Sequence, residues 1–278
     1  GAQVAAPQDQ KPQRHEAETM ARELVGALRT SYGLSVILKR LATEGGARIS
    51  EDEMTQEVLK LLTSKGRLKL KNVFQRGSSK SEEPPLMLEI CSGSGEWAVA
   101  QAKADQGKSN WVTLELRADR VYHTFTRMAM ENLANLSIIC GDAFKVLGDH
   151  MLAGSVTQVM INFPEPPLWS GADGESRLHL LTPEFLMLVH KVLKPNGSIT
   201  IFSDNLPYTK ALAKTFSALK ADGQQCFETH APSKSRVLHQ EIEGVAVFEG
   251  TPGQECGHKA PSTSYFDRLW SNGKHTKR

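Results

Sequence analysis

From Leu86 onward, short apolar runs alternate with stretches of helical periodicity, and this alternation constrains the fold more than any other feature. The strand candidates are Leu86–Ile90, Trp111–Leu116, Leu136–Cys140, Val156–Asn162 and Ser198–Ser203. The helix candidates are Glu96–Asp105, Asp119–Leu133, Pro183–Leu193 and about Tyr208–Lys220. Strands that alternate with helices form a parallel sheet covered on both faces. The sequence therefore predicts an α/β fold for residues 86–278.

Two further strands are predicted near the C-terminus, at about Gln225–Thr229 and Gly244–Phe248. They lie close together in sequence, so we expect them to pair antiparallel at the edge of the sheet. The whole sheet would then have seven strands, most of them parallel.

The residues before Leu86 have a different organisation. Residues 1–15 read as a disordered tail, residues 16–76 as a small helical or winged-helix-like module, and residues 77–85 as a linker. Helices are predicted at Ala17–Thr30, at Leu34–Leu41, and after Ser50, where S-x-x-E forms a capping box. Arg67–Phe74 alternates basic and apolar residues, as a half-exposed strand would.

Positive charge is concentrated in that first part of the chain. The net charge is +2, but no acidic residue occurs between Glu57 and Glu82. The basic residues there are Lys60, Lys65, Arg67, Lys69, Lys71, Arg76 and Lys80. Such a run is either a solvated face or a contact surface for nucleic-acid phosphates, and the sequence leaves both open.

The four cysteines have no C-x-x-C spacing, so neither a zinc site nor a disulfide framework is predicted. No histidine has a partner at ligand spacing, and no metal site is expected. No run of about 18 apolar residues occurs, and the N-terminal residues lack the apolar core of a secretory signal. We expect a protein of a reducing intracellular compartment (cytoplasm, nucleus or organelle) without a membrane partner.

A glycine-containing turn follows the first predicted strand, in Cys91-Ser92-Gly93-Ser94-Gly95. Glycines at a strand-to-helix turn let the backbone bend sharply and approach a ligand closely. The spacing Gly93-x-Gly95-x-x-Ala98 also satisfies the dinucleotide pattern G-x-G-x-x-A. The turn alone therefore fits either a nicotinamide dinucleotide, as in a dehydrogenase, or S-adenosylmethionine.

Three acidic residues at strand ends favour S-adenosylmethionine. Glu115 ends the second strand, where a carboxylate can accept both ribose hydroxyls of either cofactor. Asp142 follows the third strand and can accept the adenine amino group, with Phe144 near the ring; a helix N-cap is the other interpretation of Asp142. Glu89 suits the ammonium of a methionine moiety better than a pyrophosphate, whose charges it would repel.

With these residues in place, the sequence resembles the tRNA (guanine-N7)-methyltransferase family over about Leu86 to Gly273. The resemblance is carried by LEICSGSGEW, LELRADRV, NLSIICGDAF, INFPEPP, LTPEFLMLVHKVLKPNGSITIFSDNLPY and TSYFDRLWSNGKH, in that order. It implies a Rossmann-like methyltransferase fold, S-adenosylmethionine as cofactor, and methyl transfer to N7 of a guanine in structured RNA. The partner implied is RNA, with tRNA as the first candidate.

The resemblance also assigns site residues. The cofactor-binding positions are Glu89, Cys91, Gly93, Gly95, Glu115, Asp142 and Ala143. The catalytic candidates are Glu165, at the acid of the family's F-P-D-P-W motif, Asp204, after the fifth strand, and Thr263, in the family's C-terminal T-x-x-E motif. Glu165 is expected to position the guanine edge.

Departures from the family pattern are concentrated on the substrate side. Cys91 replaces the first glycine of the cofactor loop, Glu165 replaces an aspartate, and Phe266 stands where a glutamate is expected. The basic cluster that normally follows F-P-D-P-W is replaced by LWSGADGESR, in which Trp169 is a candidate for substrate contact. A partner subunit or the N-terminal basic run would supply the missing basic surface, or the substrate differs from tRNA.

Three functions remain open at this point, beside a dehydrogenase that would use the same glycine loop. The first is an active methyltransferase for guanine N7 in RNA. The second is a weak or inactive methyltransferase-fold protein that binds RNA or serves in assembly, and the third is a methyltransferase with a non-RNA substrate. Methyl transfer to N7 requires alignment rather than a strong base, since N7 carries a lone pair and no proton.

Overall fold

The fold is described from a computed structural model. The structure describes residues 56, 59–74, 83–167, 179–221, 223–229 and 237–260. The predicted tail, the helices at Ala17–Thr30 and Leu34–Leu41, and the linker lie outside these residues.

Five parallel strands form the central sheet. They are β1 (Leu86–Ile90), β2 (Asn110–Glu115), β3 (Leu136–Cys140), β4 (Val156–Asn162) and β5 (Leu193–Phe202). Their order is β3-β2-β1-β4-β5, and every neighbouring pair is parallel. This Rossmann-like order reverses between β1 and β4, and ligands of such sheets bind outside the carboxyl ends of the strands at that point.

Helices flank and connect the strands. They are α1 (Leu70–Val73), α2 (Glu96–Ala104), α3 (Ala118–Met130), α4 (Ala143–Lys145), α5 (Pro183–Val192) and α6 (Leu206–Ala218). The helices predicted beyond Leu86 correspond to α2, α3, α5 and α6, whereas α1 and α4 were not predicted. A π-helical turn, Val146–His150, continues α4. Two polar caps fix helix starts near the carboxyl edge: Thr182 accepts a hydrogen bond from Phe185 N, and Asn205 accepts one from Tyr208 N.

The apolar runs of the strands are continuous because both faces of the sheet are buried. Met87 and Met160 pack with Trp97 and Trp111 on one face. Leu88 and the other alternate strand residues pack on the opposite face. All five residues of β1 are buried, so the period-two alternation of a half-exposed strand is absent.

The C-terminal strands differ from the prediction. Among the described residues the parallel sheet has five strands, and the later strands form two separate pairs. The short strands β6 (Lys220–Ala221) and β7 (Gln224–Gln225) pair with each other, as do β8 (Val237–Ile242) and β9 (Val245–Glu249). The predicted strand Gln225–Thr229 was therefore wrong beyond its first residue.

The strand that pairs with β9 is β8, whose sequence VLHQEI is half polar and exposed except for Ile242. Glu243 and Gly244 form the connecting turn, with φ of 50° and 84°. Positive φ at both central residues is typical of tight hairpins. The hairpin packs on α6 through Ala213, Ile242 and Val247 instead of extending the parallel sheet.

The predicted strand Arg67–Phe74 was also wrong. Leu68 makes a single antiparallel bridge to Leu62, and the chain then forms the one-turn helix α1. Leu68 is 1% exposed and belongs to the main core cluster. The Arg67 guanidinium donates to the carbonyls of Gly148, at 2.6 Å, and Met151, at 3.0 Å. Residues 59–74 thus pack on the α/β domain, and one charge of the basic run is committed to that contact.

Candidate ligand-binding site

The turn after β1 combines two glycines that serve different purposes. Gly95 has φ of 72°, and a methyl group at its Cα would collide with the Thr124 side chain of α3. Gly93 has φ of 57° and open space where a side chain would lie. Gly95 therefore permits close packing of α3 against the turn, whereas Gly93 leaves room for a ligand at the cleft.

Glu115 holds this turn from the end of β2. Its Oε2 accepts a hydrogen bond from Gly93 N at 2.8 Å, and its Oε1 accepts one from Arg117 N at 3.0 Å. The Arg120 guanidinium lies 4.0 Å from Oε2. Each carboxylate oxygen has two acceptor sites, so Glu115 can still accept the two hydroxyls of a ribose.

Glu89 lies at the end of β1 and is buried. Its Oε1 accepts a hydrogen bond from the Asn162 side chain at 3.1 Å, while its Oε2 is buried and has no hydrogen-bond partner among the described residues. Burial, and to a smaller extent the charge of Glu115, raises the pKa of Glu89 to about 8. An unpaired carboxylate oxygen of this kind fits a cationic ligand group, which would offset the cost of ionising it.

Cys91 directly follows β1, and its backbone adopts φ of 61°. The residue is partly exposed, while its thiol is largely surrounded by protein. The loss of hydration, followed by the charges of Glu115, Glu89 and Glu165, raises the pKa of the thiol to about 12. Glu165, in the loop after β4, is thus close enough to Cys91 to act on its thiol electrostatically. We call the segment Cys91–Gly95 the cofactor turn.

Asp142 caps the helix α4 that follows β3. Its Oδ1 accepts hydrogen bonds from Phe144 N at 2.8 Å and Lys145 N at 3.2 Å. The capping interpretation of this residue is thus confirmed. The cap also fixes an exposed carboxylate at the sheet edge, where an amino group of a ligand could reach its other acceptor sites.

Two exposed apolar side chains flank this part of the edge. Phe144 follows the buried Ala143 after β3 and is 44% exposed, and Leu116 follows Glu115 after β2 and is 69% exposed. Large apolar side chains at the end of parallel strands offer apolar surface against which a purine ring can pack. Sequence reasoning missed Leu116, although an apolar residue directly after a strand-ending acid was the available signal.

The loop after β4 is held in a strained conformation. Phe163 has φ of 50°, which is uncommon for a residue with a bulky side chain. Its N–H donates to the Phe202 carbonyl at 2.7 Å, and the two rings are 4.8 Å apart. This anchoring to β5 presents Glu165 as an exposed side chain two residues later.

Of the remaining predicted site residues, the structure describes Asp204. Asp204 is exposed directly after β5. Trp169, Thr263 and Phe266 lie outside the described residues, as does most of the segment that replaces the basic cluster. Among the described residues, no group of three His, Cys, Asp or Glu side chains could hold a metal ion. None of the described helices combines the length and apolar character that crossing a membrane requires.

Comparison with known proteins identifies a family. A family model described as "Putative methyltransferase" matches residues 83–241. Among curated relatives, the tRNA (guanine-N(7)-)-methyltransferase of Chlamydia felis is 36% identical over 125 residues, which are 45% of this chain and 54% of the relative. The protein of the same name from Cronobacter sakazakii is 28% identical over 176 residues, which are 63% of this chain and 70% of the relative.

The chain spans about half the length of the first of these relatives, 54% for the Chlamydia felis protein. Among solved structures, the aminoglycoside resistance methyltransferase NpmB1 matches with a TM-score of 0.38 and 17% identity, over 54% of this chain and 67% of that one.

Proposed function

This chain belongs to the methyltransferase family whose model covers residues 83–241, and from that premise we propose that it transfers a methyl group from S-adenosylmethionine to N7 of a guanine in tRNA. The observation that carries the proposal is the convergence of Glu89, Glu115 and the Gly93 turn at the switch point of the sheet. The relatives that share this stretch are named for the same reaction.

The residues of the site fit S-adenosylmethionine. Glu89 would bind the ammonium of the methionine moiety through its unpaired oxygen, and Glu115 would accept the ribose hydroxyls. Asp142 would accept the adenine amino group, between the apolar surfaces of Leu116 and Phe144. Cys91, Gly93, Gly95 and Ala143 would form the backbone around the ligand. When bound, the cofactor supplies a methyl group on an electrophilic sulfonium.

The acceptor chemistry needs few groups from the protein. Guanine N7 attacks with its own lone pair, and no proton has to be removed from it. Glu165 would accept hydrogen bonds from N1–H and the exocyclic amine, which turns N7 towards the methyl donor. Asp204 and Thr263 would complete the acceptor side of the site.

RNA binding needs positive charge to contact phosphates. Lys60, Lys65 and Lys69 are exposed on the segment that packs against the π-helical turn, and we propose that they contribute to the RNA surface. An accessory subunit would supply the remainder, and the helical or winged-helix-like module predicted over residues 16–76 would extend the surface. The protein would act in the compartment that holds its tRNA substrate.

The test is a turnover assay on the full chain. Purified protein, labelled S-adenosylmethionine and unmodified tRNA transcripts should give label in N7-methylguanosine after nuclease digestion. Transcripts made with 7-deazaguanosine, which lack N7, should remain unlabelled. Cofactor binding by calorimetry without transfer to any tRNA would instead identify a binding or assembly protein, and label in a small molecule would identify a non-RNA methyltransferase.

A Glu115→Ala variant tests the assigned cofactor site in the same assay. It should lose cofactor binding and transfer together, because both ribose contacts and the Gly93 anchor depend on that carboxylate. Transfer that survives in this variant would contradict the assigned cofactor site.

A further inference from the structure

Several buried polar atoms at the carboxyl edge of the sheet have no hydrogen-bond partner among the described residues. They are Glu89 Oε2, Ser92 Oγ, Asn162 Oδ1, His179 Nδ1 and the hydroxyl of Tyr208. A buried polar group without a partner is unfavourable, so each of these atoms requires an explanation. The first three lie around the cofactor turn, whereas His179 and Tyr208 have no part in the site as described above.

Tyr208 is fixed in place by the start of α6. Its N–H donates to the capping side chain of Asn205 at 2.9 Å, and the residue is 6% exposed. The His179 ring contacts the tyrosine ring edge to face, with centroids 6.2 Å apart. Backbone capping and ring packing therefore position Tyr208 without using its hydroxyl.

The tyrosine also lies at the carboxyl edge of the sheet, in the first turn of α6 after β5. Burial, together with the nearby Cys91, raises the pKa of Tyr208 to about 12. Cys91 is in turn coupled to Glu165, the residue proposed to hold the acceptor base. Strand β5 pairs with β4, and β4 leads directly to Glu165, so the start of α6 and Glu165 lie on the same side of the sheet edge. This topology places the phenol on the acceptor side. Because its pKa is raised, the phenol remains a hydrogen-bond donor at any physiological pH.

Guanine presents two acceptors side by side on one edge, N7 and O6. N7 must face the methyl donor, so a protein that orients the base by this edge can contact only O6, and the contact must be a donor. Glutamate cannot serve there because an ionised carboxylate only accepts. A buried, uncharged hydroxyl meets both requirements.

We propose that the Tyr208 hydroxyl donates a hydrogen bond to O6 of the acceptor guanine, while Glu165 holds the opposite edge of the base. This inference rests on the proposed function, since it assigns a contact within the same reaction. It makes Tyr208 a specificity-determining residue, with His179 as the side chain that supports its ring. Adenine carries an amino group at the corresponding position and loses this contact.

The test compares Tyr208→Phe with the wild-type chain. Phenylalanine keeps the ring against His179 and removes only the hydroxyl. We expect kcat/KM for unmodified tRNA to fall by roughly 10- to 100-fold, as for loss of one well-placed hydrogen bond to a substrate. The dissociation constant for S-adenosylmethionine should stay within about 2-fold. The melting temperature should be unchanged or higher, because an unpaired buried hydroxyl has been removed.

Tyr122→Phe is the matched control, since Tyr122 on α3 is 53% exposed. It should leave every measured value at the wild-type level. Wild-type transfer rates in Tyr208→Phe would overturn the inference. A lowered melting temperature or weakened cofactor binding in this variant would also overturn it, because the hydroxyl would then have a structural role. Failure of the proposed function is distinguishable, because the wild-type chain itself would then give no N7-methylguanosine.

Discussion

The Oε1 atom of Gln101 accepts a hydrogen bond from the backbone N–H of Lys259 at 2.7 Å, although the two residues are 158 positions apart. The same amide side chain accepts from Ala260 N and donates to Ala260 O. Lys259 adds an ion pair from its Nζ to Asp105, which is buried on α2. These contacts tie residues 259–260 to α2, the helix that begins at the cofactor turn. Ala260 precedes Thr263 by three positions in the chain.

Gln101→Ala should destabilise the protein. Gln101 is fully buried, and its removal eliminates its hydrogen bonds to two N–H groups and one carbonyl of residues 259–260. We expect a loss of roughly 2–4 kcal/mol in the free energy of unfolding, measured by denaturant titration. Amide hydrogen exchange at residues 256–260 should rise more than in β1. Gln106→Ala, on the exposed end of the same segment, should change stability by less than about 0.5 kcal/mol, and an equal loss there would contradict the role of Gln101.

The contacts of Gln101 with residues 259–260 also show what could not be predicted from the sequence. The parallel strands were predictable because burial on both faces leaves continuous apolar runs, such as Leu86–Ile90. The cofactor-side residues were predictable because they directly follow those runs. Gln101 lies within an ordinary helix, and its partners are determined by a chain crossing that leaves no local signal. The alternating pattern of residues 67–74 fits a strand as well as a buried turn, since Leu68 and Arg67 both face the α/β domain.

Tyr208 is a similar case on the acceptor side. Its position in SDNLPY is consistent with a helix start, and nothing in the sequence indicates that its hydroxyl is buried without a partner. The partner strand of β9 was missed because β8 is exposed over five of its six residues and its apolar residues do not alternate with polar ones, so hydrophobic patterning does not detect it. The turn residues Glu243 and Gly244 were the available indication.

Gly95→Ala and Gly93→Ala should separate packing from ligand access. The Gly95 variant combines a positive φ with a collision against Thr124, so we expect a loss of roughly 2–5 kcal/mol in unfolding free energy. The Gly93 variant meets no neighbour and should lose about 1 kcal/mol from backbone strain alone, while its methyl group narrows the cleft and weakens cofactor binding. Thermal unfolding and calorimetry measure the two effects. Equal destabilisation by both variants would exclude a specific role for the Thr124 contact.

Leu116→Ser and Phe144→Ala should weaken cofactor binding without affecting the fold. Leu116 is 69% exposed, so Leu116→Ser should change stability by less than about 0.5 kcal/mol. The Phe144 ring lies 6.2 Å from that of Phe185, so Phe144→Ala should lose roughly 1 kcal/mol and remain folded. Each would bury apolar area against the adenine ring, and we expect the dissociation constant for S-adenosylmethionine to rise by roughly 10-fold. Met130→Ala is the matched control, because Met130 is 83% exposed and lies on α3. An equal effect of Met130→Ala would show that the loss is not specific to the adenine site.

Glu89 should make both stability and cofactor binding depend on pH. Burial raises its pKa from 4.5 to about 8 in the folded protein. Below the unfolded value the group is protonated in both states and has no effect. Between the two values the unfolded chain releases its proton and the folded chain does not, so stability falls as pH rises through this window and levels off above it. Glu89→Gln should remove that slope in melting temperatures measured across the window.

Cofactor binding should release the proton that Glu89 retains in the free protein. At pH 7 the group is mostly protonated, and an ammonium placed against its unpaired Oε2 favours the ionised form. Calorimetry in buffers of different ionisation enthalpy should therefore detect proton release on binding by the wild-type chain. The Glu89→Gln variant should release none and bind at least about 10-fold more weakly, since a neutral amide cannot pair with the ammonium. Undiminished affinity in that variant would place the methionine moiety elsewhere in the cleft.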